Sequence, residues 1–400
     1  MSKLKVVWIC SFGNDEIKVM VDGKDSIFAS PWISDLIKLF RDREDIDLTI
    51  ISPNYYNNEN RGFKLGKIQV NLYKYRISIL PARAYNFTFN YRTATNSILK
   101  IVNDLKPDII HLHGSENPLY SASVITLMDK YPVLVTIQGF VCLSSQHKNL
   151  IRKFIRWNRI RFERIINSKA SYFTVATDDV IKELKKKQTK AKLYRGHYPT
   201  TKPEVSSLDF PIKKYDIVYY ARLSKDKGIE DLIEAIRILK RTRPTINAII
   251  IGGGSKTYTN HVESLIKSLD LNNNINFAGF QPTQQDVFKL AAQARVYVLP
   301  TYFDGLPGSI REAMFMSIPV VTYAVGGIPS LNDEKECITL VEKQNINELV
   351  EKIELVLNDT KRTNNLVKNA YEIITNKYDN EKIYTNLLTI YKDILNANKK

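Results

Sequence analysis

Short apolar runs alternate with amphipathic stretches along almost the whole of the 400-residue chain. The apolar runs have the length of buried strands, and the amphipathic stretches have the length and period of surface helices. This alternation is typical of parallel β-sheets covered by helices, because parallel strands need a long crossover connection between them. One hydrophobic core rarely serves a chain of this length, so the sequence predicts an α/β protein with two domains.

The first half of the chain is predicted to hold seven strands and five helices. The strands are Val6–Cys10, Leu48–Ser52, Ile68–Tyr75, Ile109–His113, Val133–Ile137, Tyr172–Ala176 and Lys192–Tyr194. The helices are Pro31–Phe40, Tyr91–Leu105, Pro118–Lys130, Asn149–Asn167 and Asp178–Lys187. A second alternation of the same kind runs from Ile217 to about Lys377.

Residues 198–214 contain three prolines and several Ser and Thr, a composition typical of a linker. We therefore expect a first domain at 1–197, a linker at 198–214 and a second domain at 215–377. The remaining segment, 378–400, is predicted to be helical, because its apolar residues recur at helical spacing. These residues are Ile383, Leu387, Leu388, Ile390, Tyr391 and Ile394.

One apolar strand, ending at Pro300, leads through a glycine-containing turn into a helix. The first N–H groups of such a helix have no partner within it, so they can bind an anion. Two carboxylates, Asp304 and Glu312, flank the turn and can accept hydrogen bonds from hydroxyl groups. A phosphate with hydroxyl groups on both sides is the pattern of a nucleotide sugar. The alternative is an ordinary strand–turn–helix with two solvated carboxylates.

Two cations, Arg222 and Lys227, lie between an apolar strand and the amphipathic run Ile229–Leu239. At a strand-to-helix turn both side chains can reach one diphosphate, the guanidinium as a planar fork and the ammonium as a point charge. The alternative is a pair of solvated cations in a basic protein. The pair lies some 80 residues before the two carboxylates.

Together these segments resemble the signature of the retaining, GT-B-fold glycosyltransferases of family 4, the glycosyl transferases group 1. That family carries Gly or Ala before Arg-Leu, three residues and then Lys-Gly, and later two Glu residues separated by seven others. Here Pro319–Val321 and Gly326–Pro329 also match the family's pattern. The chain departs from it at Asp304, where the family has Glu, and at Ser330, where an acidic residue is usual.

The resemblance implies a GT-B fold, in which two Rossmann-like domains face each other across a cleft and a C-terminal helix crosses back to the first domain. The first domain would bind the acceptor, and the second would bind the nucleotide sugar. The implied reaction is retaining transfer of a hexose-type sugar from a nucleotide diphosphate donor, with a UDP-sugar favoured over a GDP-sugar. The expected acceptor is a hydroxyl group of a lipid-linked saccharide or of a surface-polysaccharide intermediate.

By the same resemblance, Arg222 and Lys227 bind the donor diphosphate. Asp304 orients the hydroxyl groups of the donor sugar, and Glu312 holds those of the ribose. These four residues form the predicted catalytic set. The other predicted donor-binding residues lie in the glycine turn or in two loops that include the family's base-binding loop. They are Gly253, Phe280, Gln281, Gly305, Leu306, Pro307, Gly308 and Ser309.

Three residues are predicted on the acceptor side: Gly13, His113 and Gln138. His113 ends a strand that is similar to the family's His-x-His-Gly segment, whereas His111 is expected to be structural. Gln138 occupies a strand end at which many relatives carry a His that contacts the donor sugar. An amide is neither acid nor base, so a mechanism that needs histidine there is excluded. Front-face displacement, in which the leaving phosphate takes the acceptor proton, is compatible.

The cysteines form no metal-binding spacing and no Asp-x-Asp metal clamp is evident, so we expect neither a metal nor another cofactor. The three cysteines are odd in number and far apart, which predicts reduced thiols and a cytoplasmic location. No apolar run reaches the ~18 residues that span a bilayer, and no signal-peptide cleavage site follows the first apolar run.

Most of the formal net charge of +16 lies in residues 148–195, which hold 15 Lys and Arg against four Asp and Glu. Here Arg152, Arg156 and Arg159 recur at helical spacing, with Trp157 beside them. A basic helix with an aromatic edge favours an anionic membrane surface, which predicts a peripheral location on the inner face of the cell membrane. The alternative is a solvated helix that buries Ile151, Ile155 and Ile165 against its own sheet, and no motif indicates nucleic acid. Another face of the same helix is predicted to be apolar and consists of Ile151, Ile155, Phe162 and Ile165.

Two other functions fit the expected fold. One is a sugar-nucleotide epimerase, against which the pairing of Arg222 and Lys227 with the two-carboxylate turn argues. The other is a non-catalytic subunit that binds a partner or a membrane through its basic segment, for which the departures at Asp304 and Gln138 are hints.

Overall fold

The structure is a computed structural model that describes residues 3–21, 31–57, 59–75, 91–137, 139–143, 150–187 and 190–398. The chain divides into two compact units. The first unit comprises residues 1–199 together with 380–400, and the second comprises residues 200–379.

The first unit is built on an eight-stranded sheet with the strand order β3-β4-β2-β1-β5-β6-β7-β8. All neighbouring strands are parallel except β3 and β4, which form an antiparallel pair. The strands are β1 Leu4–Ile9, β2 Ile46–Pro53, β3 Arg61–Leu65, β4 Ile68–Tyr73, β5 Ile109–His113, β6 Val133–Ile137, β7 Tyr172–Val175 and β8 Lys192–Arg195. The seven predicted strands are therefore confirmed to within two residues at each end.

Strand β3 is not among the predictions. Arg61, Gly62 and Lys64 are exposed, whereas Phe63 and Leu65 pack against the core at the edge of the sheet. The alternation of Phe63, Lys64 and Leu65 is too short to be recognised as a strand. The signal that does exist is Gly66, whose φ of +60° makes the tight turn into β4.

The helices of the first unit cover its sheet. They are Asp15–Met20, Pro31–Phe40, Arg92–Leu105, Pro118–Ser121, Val124–Leu127, Leu150–Lys169, Asp178–Lys187 and Asn380–Asn398. The prediction of one continuous helix at Pro118–Lys130 is wrong, because two short helices stand there. At the break, the hydroxyl of Ser123 donates to the carbonyl of Tyr120 at 2.9 Å, and such local bonds compete with helical ones.

The last helix belongs to the first unit, as the family resemblance implies. It buries its apolar face against the side of the sheet that includes Trp8 of β1. The Trp8 indole donates to the hydroxyl of Tyr391 at 2.8 Å, and Nδ1 of His111 lies 2.7 Å from the same hydroxyl. These buried polar contacts fix the register of the helix on the sheet, because each group would be costly to bury without its partner.

The second unit is built on a six-stranded, all-parallel sheet with the order β11-β10-β9-β12-β13-β14. Its strands are β9 Tyr215–Tyr220, β10 Ala248–Ile251, β11 Ile275–Gly279, β12 Ala294–Leu299, β13 Val320–Tyr323 and β14 Thr339–Val341. Its helices are Ile229–Thr242, Lys256–Ser268, Gln284–Ala291, Gly308–Phe315, Ile346–Asn358 and Thr360–Lys377. The central strands are nearly continuous apolar runs, since helices cover both faces of such a sheet.

Most of the predicted linker 198–214 lies in the second unit. The backbone N–H of Ser207 donates to the carbonyl of Met316 at 2.7 Å, and its hydroxyl donates to Ser317 at 3.1 Å. Ser207 is buried at this contact. Proline and serine content indicates an irregular segment, but it does not show whether that segment packs against a domain.

Candidate functional site

Two loops of the second unit come together where β9 and β12 end. These strands are neighbours and parallel, so their carboxyl ends meet at the same edge of the sheet. The backbone N–H of Tyr302 donates to the carbonyl of Asp226 at 2.8 Å, and the hydroxyl of Thr301 donates to the same carbonyl at 3.1 Å. The loop that carries Arg222 and Lys227 is thereby bonded to the loop that carries Asp304.

Lys227 and Asp304 form an ion pair between these loops. Their side chains are 21% and 19% exposed, so the pair is more shielded from water than an ordinary surface pair. From the sequence, Lys227 was expected to bind the donor diphosphate and Asp304 to bind the donor sugar. In the structure the two side chains are in direct contact. Arg222, in the same loop as Lys227, is 68% exposed and lies 3.3 Å from the carboxylate of Asp226.

Two glycines hold these loops close together. Gly228 has a φ of +69°, and a Cβ there would lie 1.8 Å from the carbonyl oxygen of Pro300. Gly326 has a φ of +54°, and a Cβ there would lie 1.8 Å from the carbonyl oxygen of Asp304. No other residue fits either position, because the conformation and the contact both exclude a side chain. The turn at Asp304 is therefore enclosed by the loops that follow β9 and β13.

The helix Gly308–Phe315 begins directly after this turn, and no side chain in the described part of the chain caps its start at Pro307. Tyr220 donates to the carbonyl of Ser309 at 2.7 Å, and Tyr297 donates to the Ser309 hydroxyl at 2.8 Å. These buried tyrosines of β9 and β12 anchor the first turn of the helix. Its first N–H groups supply the partial positive charge that favours an anion.

Glu312 lies on the second turn of the same helix. Its carboxylate accepts a hydrogen bond from Gln284 at 3.1 Å. A Cβ on Gly308 would lie 3.7 Å from the other carboxylate oxygen, so Glu312 extends back along the first turn. The structure thus places both predicted carboxylates, Asp304 and Glu312, beside the start of one helix.

The residues predicted to hold the nucleotide base lie beyond the ends of β10 and β11. A Cβ on Gly253 would lie 3.4 Å from the Cβ of Phe280, whose ring is 65% exposed. Gln281 donates to the carbonyl of Ala278 at 2.8 Å, so its amide is held by its own loop. In the glycine turn, Pro307 is buried and Leu306 packs against the core, so both side chains serve packing.

His113 was predicted to lie on the acceptor side, where it would contact a ligand, but the structure buries it. Its ring is fully buried, 3.8 Å from the ring of His111 and 4.7 Å from that of Trp8. Burial lowers the pKa of His113 to about 3, so the imidazole is neutral. The geometry favours a structural role for both histidines. Gly13 lies in the buried loop after β1, and Gln138 lies outside the described residues.

Glu116 is a candidate residue that the sequence reasoning missed. It follows β5 closely and accepts a hydrogen bond from Tyr120 at 3.1 Å. Its second carboxylate oxygen is buried and has no hydrogen-bond partner among the described residues. Burial raises the pKa of this carboxyl group. The sequence could have indicated Glu116, because it is the first carboxylate after a predicted strand. Asp304 has the same placement after its own strand.

The basic helix Leu150–Lys169 presents a different surface from the predicted one. Arg156 donates to the carbonyl of Cys142 at 2.8 Å, and Arg159 donates to the carbonyl of Glu116 at 2.7 Å. Both cations are thus bonded to their own unit, whereas Arg152 and Trp157 are exposed. The alternative in which this helix buries Ile151 and Ile165 against its own sheet is contradicted, because both residues are exposed. The exposed apolar residues of this helix are Leu150 at 79%, Ile151 at 70%, Phe154 at 45%, Trp157 at 56% and Ile165 at 36%.

Within the described part of the chain, no group of three or more His, Cys, Asp or Glu is arranged to hold a metal ion. No helix in that part combines the length and the apolarity that crossing a membrane requires.

Comparison with known proteins assigns both units. The model of the family described as glycosyl transferases group 1 matches residues 202–373. The model described as glycosyl transferase 4-like matches residues 19–169. TuaC of Bacillus subtilis, a glycosyltransferase assigned to teichuronic acid biosynthesis, is 24% identical over 353 residues, which cover 82% of this chain and 83% of TuaC.

Two solved structures share the fold over nearly the whole chain. Sucrose-phosphate synthase from Thermosynechococcus elongatus has a TM-score of 0.75 at 17% identity and covers 99% of this chain and 100% of its own. Anabaena HepE in complex with UDP-glucose has a TM-score of 0.68 at 17% identity, with 99% of each chain covered. The two family models match the halves of the chain that carry the two Rossmann-like sheets. The chain therefore belongs to the GT-B glycosyltransferases of the group 1, or family 4, type.

Proposed function

We propose that this glycosyltransferase transfers a hexose-type sugar from a UDP-sugar to a saccharide hydroxyl, with retention of anomeric configuration, in the synthesis of a surface polysaccharide. The observation that carries the proposal is the arrangement around the Lys227–Asp304 pair, where two cations, two carboxylates and a helix start lie together. TuaC, assigned to teichuronic acid biosynthesis, supports the acceptor class. HepE, which binds UDP-glucose, supports the donor. A GDP-sugar is the second option.

The charges at this site match the charges that develop in the reaction. Breaking the bond between the anomeric carbon and the diphosphate oxygen leaves positive charge on the sugar and its electron pair on the diphosphate. Arg222, Lys227 and the start of the helix Gly308–Phe315 would stabilise the leaving diphosphate. An ammonium group has three donors, so Lys227 can bind a phosphate oxygen and keep its bond to Asp304. Asp304 retains lone pairs that accept hydrogen bonds from the donor sugar.

Retention follows if the acceptor approaches on the face from which the diphosphate leaves. The leaving phosphate oxygen then takes the proton of the acceptor hydroxyl, so no protein base is required. Glutamine at position 138 fits this route, because its amide cannot serve as a base. The protein cations supply the charge stabilisation that a divalent metal supplies in other enzymes, and we propose that the reaction is metal-independent.

The direct test is incubation of the purified protein with a panel of radiolabelled nucleotide sugars. Slow release of free sugar, accelerated by a saccharide acceptor, is the expected result. Proton NMR of the product of an α-linked donor should show an α-linkage. Binding of the nucleotide without turnover would support a non-catalytic subunit, and an epimerised sugar would support an epimerase.

We also propose that the protein is cytoplasmic and docks on an anionic membrane through the first two turns of the helix Leu150–Lys169. This docking surface consists of Leu150, Ile151, Arg152, Lys153, Phe154 and Trp157, all exposed. The rings of Phe154 and Trp157 stack with centroids 5.8 Å apart, which presents one flat apolar patch. Apolar side chains beside basic ones suit the boundary between acyl chains and anionic headgroups. A lipid-linked acceptor would be found at that boundary.

A further inference from the structure

One buried carboxylate of the second unit lies outside the proposed chemistry and contacts two loops at once. Asp231, in the first turn of the helix Ile229–Thr242, is 8% exposed. One of its oxygens accepts a hydrogen bond from Tyr302 at 2.6 Å, and the other accepts one from Tyr323 at 2.6 Å. Burying a carboxylate is costly unless it is well bonded, so an arrangement that uses both oxygens is an organised one.

The two tyrosines stand on the two segments that enclose Asp304. Tyr302 lies two residues before Asp304 in the same loop. Tyr323 ends β13 and leads into the loop of Gly326, whose α-carbon packs against the carbonyl of Asp304. The N–H of Gly327 also donates to the carbonyl of Gly305 at 2.8 Å. A shift of either tyrosine would therefore move the carboxylate of Asp304.

Asp231 is also linked through the backbone to Lys227, the other partner of the ion pair. Its helix begins directly after Gly228, which follows Lys227 and packs under Pro300. The start of this helix consequently fixes the backbone that carries Lys227. Through its two tyrosines, the same helix turn fixes the backbone that carries Asp304.

We propose that Asp231 is a positioning residue that holds Lys227 and Asp304 at the spacing needed for sugar transfer, through its bonds to Tyr302 and Tyr323. The inference rests on the proposed function and extends it beyond the ligand-contacting residues. Two short, directional bonds specify the position of the tyrosine hydroxyls more narrowly than apolar packing would. A displacement of about 1 Å at a catalytic group can cost about 100-fold in rate.

The test compares Asp231→Asn, Tyr302→Phe and Tyr323→Phe with the matched control Tyr215→Phe. Tyr215 is also buried, and its replacement by Phe removes one hydrogen bond, which Asn276 donates to its hydroxyl at 2.8 Å. Tyr215 lies at the start of β9, whereas the Lys227–Asp304 pair lies beyond the end of that strand. We expect kcat to fall about 10- to 100-fold in the three test variants and to remain unchanged in the control. The dissociation constant for UDP should change little. The effects of Asp231→Asn and Tyr302→Phe should be less than additive, because the two residues share one contact.

A second measurement does not depend on turnover. Labelling of Lys227 by an amine-reactive reagent, quantified by mass spectrometry against the exposed Lys225, should be slow in the wild type and faster in Asp231→Asn. Folded Asp231→Asn protein with wild-type kcat and unchanged labelling would overturn the inference. If the wild type turns over no nucleotide sugar, the proposed function fails, and the labelling ratio still decides whether Asp231 sets the spacing.

Discussion

Lys227 and Asp304, 77 positions apart in the chain, form an ion pair at one edge of the second sheet. The pair connects two roles that the sequence motifs assign separately, a cation for the diphosphate and a carboxylate for the sugar. Because each fixes the other before a ligand arrives, the charges need little rearrangement during the reaction. Such preorganisation is the main source of electrostatic catalysis.

The first prediction concerns the cations. Arg222→Ala and Lys227→Ala should each lower kcat/KM by about 10²–10³, because each removes a charge that stabilises the leaving diphosphate. Steady-state kinetics on the substrate identified by the nucleotide-sugar panel measures this. Lys240→Ala is the control, since Lys240 forms an ion pair with Asp270 elsewhere in the unit. Near-wild-type turnover of either test variant would show that the cation does not bind the diphosphate.

The second prediction concerns the carboxylate. Asp304→Asn should abolish turnover, because the neutral amide can neither pair with Lys227 nor orient the sugar hydroxyls as a carboxylate does. Binding of UDP, measured by calorimetry, should largely survive, since Glu312 and Arg222 are intact. Glu312→Gln is the matched comparison and should weaken UDP binding instead. Asp304→Glu should retain much of the activity. Full turnover by the Asn variant would place Asp304 outside the donor-sugar site.

Much of the second unit could be predicted because its motifs are local. The strand, the glycine turn and the helix around Asp304 are consecutive in the chain, and their residue types determine their conformations. The contact between Lys227 and Asp304 could not be read in this way. It depends on the parallel pairing of β9 with β12 and on the close approach at Gly228, which are tertiary features.

The first unit shows where helical periodicity misleads. The spacing of Arg152, Arg156 and Arg159 correctly indicates a helix, but it does not show which side faces the sheet. Tertiary contacts decide that question, since Arg156 and Arg159 reach backbone carbonyls while Ile151 is exposed. The predicted apolar face is only partly buried for the same reason. Charge and periodicity together could not distinguish a cation bonded to its own unit from one on the outer surface.

The third prediction concerns the pH dependence of stability in the first unit. Burial holds the pKa of His113 at about 3 and the pKa of His111 well below its usual value. In the unfolded chain both histidines titrate near pH 6.5, so between that pH and the lowered pKa of each histidine only the unfolded state binds its proton. The stability that the two neutral, buried histidines contribute to the folded state is fully present above pH 6.5 and is lost as the pH falls. Each histidine should lower the unfolding free energy by about 1.4 kcal/mol per pH unit within this window.

Tryptophan fluorescence can follow this effect, because all three tryptophans lie in the first unit, at positions 8, 32 and 157. Denaturant titrations between pH 7 and 5 should show a smaller decrease in stability for His113→Phe than for the wild type. His261→Gln, in the second unit, should leave the fluorescence-detected decrease unchanged. An identical pH dependence for His113→Phe and the wild type would show that His113 is not buried in its neutral form.

The fourth prediction concerns the docking surface. Wild-type protein should bind vesicles rich in phosphatidylglycerol at low salt, and it should bind phosphatidylcholine vesicles weakly. Replacing Phe154 and Trp157 by serine should lower binding about tenfold or more, because it removes the exposed apolar patch. Arg152→Gln should cost about 1 kcal/mol at low salt and less at high salt, since the attraction is screened within a Debye length.

The matched comparison is the double variant Arg156→Gln, Arg159→Gln, which removes twice the charge that Arg152→Gln removes. Because these two side chains are bonded to carbonyls of their own unit, their loss should weaken the fold locally and change vesicle binding less than Arg152→Gln does. The order of these variants in vesicle binding tests which arginines face the membrane. The sequence periodicity alone would make all three arginines equivalent. Binding that follows total charge and ignores Phe154 and Trp157 would favour diffuse electrostatic attraction. Wild-type protein that ignores anionic vesicles at low salt would remove the membrane proposal altogether.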